Sequence, residues 1–336
     1  MTTRSYTPES EPPEALVGFM REKYGEEENL DFFVSEFRRA FRFASSNPRV
    51  RFTPFVLEDA GALAGHAALI EDARLPAGEA FFGFFDGNST AELGALWRTL
   101  VREAKERGVR VLKGPVNGSV WHQYRAVSET DGSPFFASEL MSGPGVYAFL
   151  KEQSPAAEVR YYSAYRERFD AILKAGKEPY ARMGDAGFSI VKTERPTVEL
   201  LLTLLGISRA AFRENWGYVD LADKEFLSLY ALDKLDARLG DLYLLRKEEA
   251  VIGFCATLRE RDPRVVIAKT VAILPEYQGK GLGNALAYAV HADAQAANAR
   301  RIIYALIREG NAIGRYPTED AVIFRRYSAF EYALSA

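Results

Sequence analysis

Apolar positions in the second half of the chain recur with two periods. Val251–Leu258 (VIGFCATL) is a β-branched run of strand length, Asp241–Arg246 (DLYLLR) reads as its partner, and the polar Lys247–Glu249 between them fits a hairpin turn. Arg264–Leu274 (RVVIAKTVAIL) is a third strand, stopped by Pro275, which has no N–H to offer a ladder. The period then changes. Leu282, Leu286, Ala289 and Val290 fall at the i, i+4, i+7, i+8 spacing of one buried face, predicting a helix over Gly283–Ala299 with His291 on its solvent side. Ile302–Ile307 is another buried strand. Strand, glycine-rich turn, helix, strand is a βαβ unit, expected to be parallel with a right-handed crossover.

The first half repeats this order. Phe52–Leu57, Leu63–Ile70 and Ala80–Phe85 read as strands. Ser89 with Glu92 matches a capping box, and Leu93, Leu96, Trp97, Leu100, Val101 and Ala104 trace one helical face, with Gly108 as its stop. Val109–Leu112 is the matching strand, and an asparagine follows it, Asn117, as Asn311 follows its counterpart. The repeat predicts two related α/β (α+β) domains in tandem, each a mixed, twisted sheet flanked by helices. Ala175–Phe188 (AGKEPYARMGDAGF) has the glycine, proline and charge of a linker, which places the domains at 1–178 and 179–336. Phe188–Thr193 would open the second domain as a strand, Val198–Arg213 and Ala222–Leu235 follow as helices, and Val322–Phe330 is a late strand.

Composition narrows the function. The 46 acidic and 43 basic residues of this 336-residue chain leave a net charge of -3, which disfavours a nucleic-acid-coating role. One cysteine, Cys255, excludes an internal disulfide, and three histidines make a His-built metal centre a poor expectation; no metal site is assigned. Met1–Pro13 is polar, with no signal-like apolar core, and no run reaches the roughly 18 apolar residues that span a bilayer. A cytoplasmic protein that engages neither membrane nor nucleic acid, as a monomer or homodimer, is the expectation.

The sharpest motif is Gln278-Gly279-Lys280-Gly281-Leu282-Gly283, between strand and helix. Its backbone N–H groups and the positive end of the helix macrodipole form an anion site, and the glycines let phosphate oxygens approach. The spacing excludes two nucleotide motifs. A P-loop needs Ser or Thr after Gly-Lys, where Gly281 stands, and the dinucleotide fingerprint needs a glycine where Asn284 stands.

Val271–Gly283 (VAILPEYQGKGLG) resembles the acyl-CoA-binding motif of the GNAT N-acyltransferase superfamily, Gln/Arg-x-x-Gly-x-Gly/Ala, with Gln278, Gly281 and Gly283 at its positions. The resemblance covers Phe188 to Leu334. It implies that Gln278, Gly279, Lys280, Gly281, Leu282, Gly283 and Asn284 hold the CoA pyrophosphate, that Ala272, Ile273 and Leu274 pair with the pantetheine amides, and that Asn311 belongs to the cofactor site. Ala211–Asp220 (AFRENWGYVD) resembles a segment of tandem GNAT-like proteins that lies over the acceptor, which points to Asn215 and Trp216 as substrate residues; helix packing explains Trp216 equally well. The first domain resembles the same fold, with Lys113–Asn117 (KGPVN) and Gly118–Arg125 (GSVWHQYR) matching tandem proteins. Its loop, Asp86-Gly87-Asn88-Ser89, lacks the glycine pattern, and Asp86 would repel a pyrophosphate, so a degenerate domain without a CoA site is expected.

The implied activity is N-acyl transfer, acetyl-CoA or another acyl-CoA donating to a small-molecule primary amine by direct attack. Such proteins often protonate the thiolate with a tyrosine seven positions after an asparagine like Asn311; here that position is Thr318. Tyr316 and Tyr327 are rival acids, with a strand aromatic covering the core the stronger reading of Tyr327. No carboxylate stands out as base. Cys255 in an apolar strand, His66, and His122 among aromatics read as core residues rather than nucleophile or base. Two alternatives stay open: an acyl carrier protein as donor, for which the intact loop argues as well, and a non-catalytic CoA- or ligand-binding module, for which the missing tyrosine argues. Aminoacyl-tRNA, a third donor among tandem GNAT-like proteins, is disfavoured by the charge balance.

Overall fold

The computed structural model describes residues 1–336 apart from 10, 194, 231–238, 312–317 and 336. The chain separates into two compact units. The first comprises Met1–Tyr161, Trp216–Val219 and Arg325–Ala336, and the second comprises Tyr162–Asn215 and Asp220–Phe324.

In the first unit, β1 (Thr2–Ser5), α1 (Glu14–Lys23) and α2 (Leu30–Ser46) precede the antiparallel β2 (Val50–Asp59), β3 (Ala62–Asp72) and β4 (Glu79–Gly87). Helix α3 (Thr90–Glu106) crosses over to β5 (Val111–Gly114), which pairs with β4 in parallel. The capping box forms as expected: Ser89 accepts from Glu92 N–H, and Glu92 accepts from Ser89 N–H. After β6 (Ala126–Thr130), α4 (Pro144–Glu152) and the first half of β7 (Ala157–Arg166), the unit is completed from the end of the chain. There β13 (Val322–Ala333) pairs antiparallel with β5, Phe330 opposite Gly114. Phe330 and Tyr332 enter the same core as Phe82, Leu96, Trp97 and Leu100.

The second unit contains the rest of β7, α5 (Asp170–Arg182), β8 (Phe188–Thr193), α6 (Val198–Phe212), α7 (Asp223–Leu229), β9 (Leu239–Lys247), β10 (Ala250–Arg259), β11 (Val265–Ile273), α8 (Leu282–Ala296) and β12 (Arg301–Arg308). Strands β8 to β11 are successively antiparallel except that β8 reaches β9 by way of the helices, and β11 pairs with β12 in parallel through α8. The near-continuous apolar runs have a plain cause: both faces of this sheet are covered. Leu242, Leu244 and Phe254 pack with Leu204 and Ile207 of α6, whereas Tyr243 and Cys255 pack with Leu286, Ala289 and Val290 of α8. Each such burial stabilises the fold by about 1.5–3 kcal/mol.

Two expectations change. Most of the stretch read as a linker is helix α5, which carries Pro179 internally, so 178/179 is not where the compact units part. Its Gly176 serves close packing: a Cβ there would lie 2.7 Å from the Asn284 carbonyl oxygen and from Tyr288 Cβ. The second change follows from the first. Because α5 lies along α8, the outer side of α8 is covered, and His291 is buried instead of solvent-facing. No helix among the described residues is long and apolar enough to cross a membrane.

Candidate functional site

Strand β11 ends at Ile273, and Pro275–Tyr277 makes a single 3-10 turn before the glycine loop. Gln278 folds back and donates from Nε2 to the Ile273 carbonyl at 2.8 Å, tying the loop to the strand end. Gly279 and Gly281 both adopt φ +76°, a left-handed conformation that β-carbon-bearing residues resist. A Cβ at Gly279 would meet nothing within 4 Å among the described residues. Lys280 is exposed, with Nζ 5.0 Å from the Tyr277 ring centroid.

Gly281 is the N-cap of α8, and no side chain caps this helix. The first-turn N–H groups, from Leu282, Gly283 and Asn284, therefore converge beside the loop as donors for an anion. No acidic residue lies in this first turn to oppose one. Beyond the loop, the β11–β12 ladder runs only from Val265↔Arg301 to Ala268↔Tyr304, although β11 continues to Ile273 and β12 to Arg308. The strands part there, and the backbone of Lys269–Ile273, which includes Ala272 and Ile273, borders the gap. Uncapped helix, left-handed glycines and parted strands together fit a ligand with a phosphate head and an extended amide-bearing arm.

The first unit shows how the same topology closes. Its β4–β5 ladder also stops early, at Phe81↔Lys113. Here the chain refills the gap: Val116 N–H donates to the Phe82 carbonyl at 2.8 Å, and Asn117 Oδ1 accepts from Phe84 N–H at 2.6 Å. Asn117 is thus a plug, which its position after the strand did not reveal. At the loop, Asp86 holds Lys23 Nζ at 2.5 Å and Tyr24 Oη at 2.8 Å, and the α3 N-terminus is occupied by Ser89 and Glu92. A cavity of about 30 Å³ remains beside His66, Phe84, Asp86 and Asn117, which is room for little more than water.

The other candidates separate clearly. Tyr327 is buried in the first unit, and its hydroxyl donates to Glu139, which also binds Arg325 Nη1 at 2.5 Å. A phenol enclosed in that network is a core residue rather than a general acid. Tyr316 lies outside the described residues. Asn311 is exposed in a turn after β12, its N–H donating to the Arg308 carbonyl at 3.1 Å. Trp216 belongs to the first unit, where Nε1 donates to Glu331 at 2.8 Å and the ring stacks on Tyr124. Its polar edge is used in packing; Asn215 beside it is exposed and falls in the second unit.

Cys255 is buried, and burial pushes its thiol up to about 12, which removes it as a nucleophile. All three histidines are buried. Burial lowers His122 to about 3 and His291 to about 4, Arg39 and Arg166 respectively adding repulsion, and lowers His66 as well. Each is neutral near pH 7, and none faces the glycine loop.

Residues 204–316 match the family described as Acetyltransferase (GNAT) family. No curated protein matches the sequence. Among solved structures, a tandem GNAT protein from the clavulanic acid biosynthesis pathway aligns over 100% of this chain and 99% of its own, with TM-score 0.60 and 13% identity. A GCN5-related N-acetyltransferase from Anabaena variabilis aligns over 99% and 73%, with TM-score 0.57 and 10% identity. An Enterococcus faecalis protein described as a probable N-acyltransferase aligns over 99% and 72%, with TM-score 0.58 and 10% identity. Residues 204–316 thus carry the sequence pattern of the GNAT acetyltransferase family, and the chain as a whole has the fold of tandem GNAT structures.

Proposed function

We propose that the second unit transfers an acyl group from acyl-CoA to a primary amine. The uncapped N-terminus of α8 behind two left-handed glycines carries this reading, because it leaves directed N–H donors where the first unit spends its own on Ser89 and Glu92. In the proposed site the loop and first turn of α8 take the pyrophosphate, and the edge of β11 takes the pantetheine amides. The amine nitrogen attacks the thioester carbonyl, the C–N bond forms, the C–S bond breaks, and the thiol leaves with the proton the amine gives up. Acetyl-CoA is the simplest donor. A carrier protein presents the same arm on a single phosphate, and comparison of phosphopantetheine with CoA distinguishes the two.

Thermal shift tests the proposal. CoA and acetyl-CoA are expected to raise the Tm of the wild type. Asn284→Asp places a carboxylate in the first turn of α8, where it suits the macrodipole, so the ligand-free Tm should hold or rise slightly. The same charge repels a pyrophosphate and should weaken CoA binding about tenfold. A wild-type Tm indifferent to every CoA species would overturn the reading.

A further inference from the structure

Arg166, at the end of β7 in the second unit, is 2% exposed, and both Nε and Nη1 are buried with no hydrogen-bond partner. A buried arginine can be satisfied, as Arg325 is: its guanidinium meets Glu139, Thr130 Oγ1 and the Ser133 carbonyl. Arg166 has no such set among the described residues. Glu167, its neighbour in sequence, and Asp320 are each taken by another arginine. Glu167 receives Arg301 at 2.6 Å, and Asp320 receives Arg168 at 2.6 Å. What Arg166 does have is an aromatic face, its guanidinium carbon lying 5.8 Å from the Tyr304 ring centroid. The Tyr304 hydroxyl lies 2.5 Å from His291 Nε2, and His291 Nδ1 lies 2.6 Å from the Ala287 carbonyl oxygen. That carbonyl fixes the hydrogen on Nδ1, so His291 is a neutral acceptor for Tyr304 and supplies no countercharge.

An isolated buried cation is unfavourable unless an anion joins it, and unfilled buried donors mark the place of an unplaced group. The position is informative. Tyr304 forms the last pair of the β11–β12 ladder, with Ala268, so the ring beside Arg166 belongs to the residue at the closed end of the gap between the parted strands. Five residues of β11, Lys269–Ile273, separate that end from the loop side, about 17 Å at the usual strand rise. A pantetheine arm extended along that edge from the glycine loop brings its thioester to this end. We infer that Arg166 binds a carboxylate carried by one of the substrates, either the far end of a dicarboxylic acyl group on CoA or the carboxylate of an amino-acid-like acceptor. The inference rests on the proposed acyl transfer and specifies its substrate class. The unfilled Nε and Nη1 lie on different edges of the planar guanidinium, and each is one of the two donors of an edge that a carboxylate accepts.

Two matched pairs test it, with wild-type protein, Arg166→Gln and Arg166→Lys. Donor binding by calorimetry compares succinyl-CoA with butyryl-CoA, of equal chain length; acceptor turnover by thiol release compares alanine with ethylamine. The expected result is a preference for the carboxylated member of one pair of about tenfold or more in the wild type. Arg166→Gln should close that gap and Arg166→Lys should restore part of it; the pair that responds identifies which substrate carries the carboxylate. The wild-type ratio stands as a test even if a variant fails to fold. CoA binding without a preference in either pair, or a preference that Arg166→Gln leaves intact, would overturn the inference alone. Failure of CoA and every acyl-CoA to bind would overturn the acyl-transfer reading with it.

Discussion

His291 shows how much a single side chain's meaning depends on what lies behind it. Nine positions from Leu282, it belongs to the polar side of a lone amphipathic helix. In the structure α5 covers that side, Phe169 packs edge-on to the imidazole, and the ring is buried. Burial lowers its protonation to about 4, against 6.5 in an unfolded chain. Between those values the unfolded state binds a proton that the folded state refuses, so the stabilising contribution is complete above pH 6.5 and is lost as pH falls toward 4. His122, lowered to about 3, acts in the same direction. Urea unfolding from pH 7 to pH 4 should therefore lose about 1 kcal/mol per pH unit per histidine. His291→Gln should be less stable at pH 7 and show a shallower slope; a slope equal to that of the wild type would exclude His291 as a contributor.

Among the elements, the parallel strand pairs set the two units apart. Both ladders stop early, yet among the described residues only the first is refilled, and the refilling depends on a residue with no side chain. A Cβ on Gly83 would sit 1.8 Å from the Val116 carbonyl oxygen, a backbone atom that cannot swing aside. Gly83→Ala should thus cost roughly 3 kcal/mol through forced displacement of the plug. Gly206→Ala supplies the contrast: this exposed helical glycine of α6 has nothing within 4 Å of its Cβ position, and alanine should gain about 0.5–1 kcal/mol. Thermal denaturation of both variants measures the difference. The strands, the Ser89–Glu92 cap and the buried face of α8 were legible in the chain because each depends on a local period or a three-residue spacing. Asn117 was not, since an asparagine after a strand looks the same whether it plugs a gap or borders one.

At the scale of the molecule, the first unit is not a contiguous half. It is completed by the C-terminal strand, which brings Arg325 to Glu139 and Phe330 and Tyr332 into the core around Trp97. Ending the chain at Phe324 should leave Glu139 buried without its cation and the first core open. Loss of a buried pair's partner alone costs about 3–5 kcal/mol. The 1–324 truncation is expected to lose cooperative unfolding of the first unit and to be cleaved there in limited proteolysis; a protease-resistant first unit in that truncation would contradict the division. Fragments cut at 178/179 should fail for the same reason, because 1–178 lacks this strand.

The sequence by itself determined the tandem α/β order, the βαβ unit and the glycine loop with its likeness to an acyl-CoA motif, all features written in neighbouring residues. The tertiary structure decided that α5 is a packed helix, that His291 and Tyr327 are core residues, that one strand gap is plugged, and that Arg166 is buried with no countercharge among the described residues. The physical reason is range. Periodicity and capping are set by residues a few positions apart, whereas burial, charge pairing and the filling of a gap depend on groups that meet only when distant segments fold together.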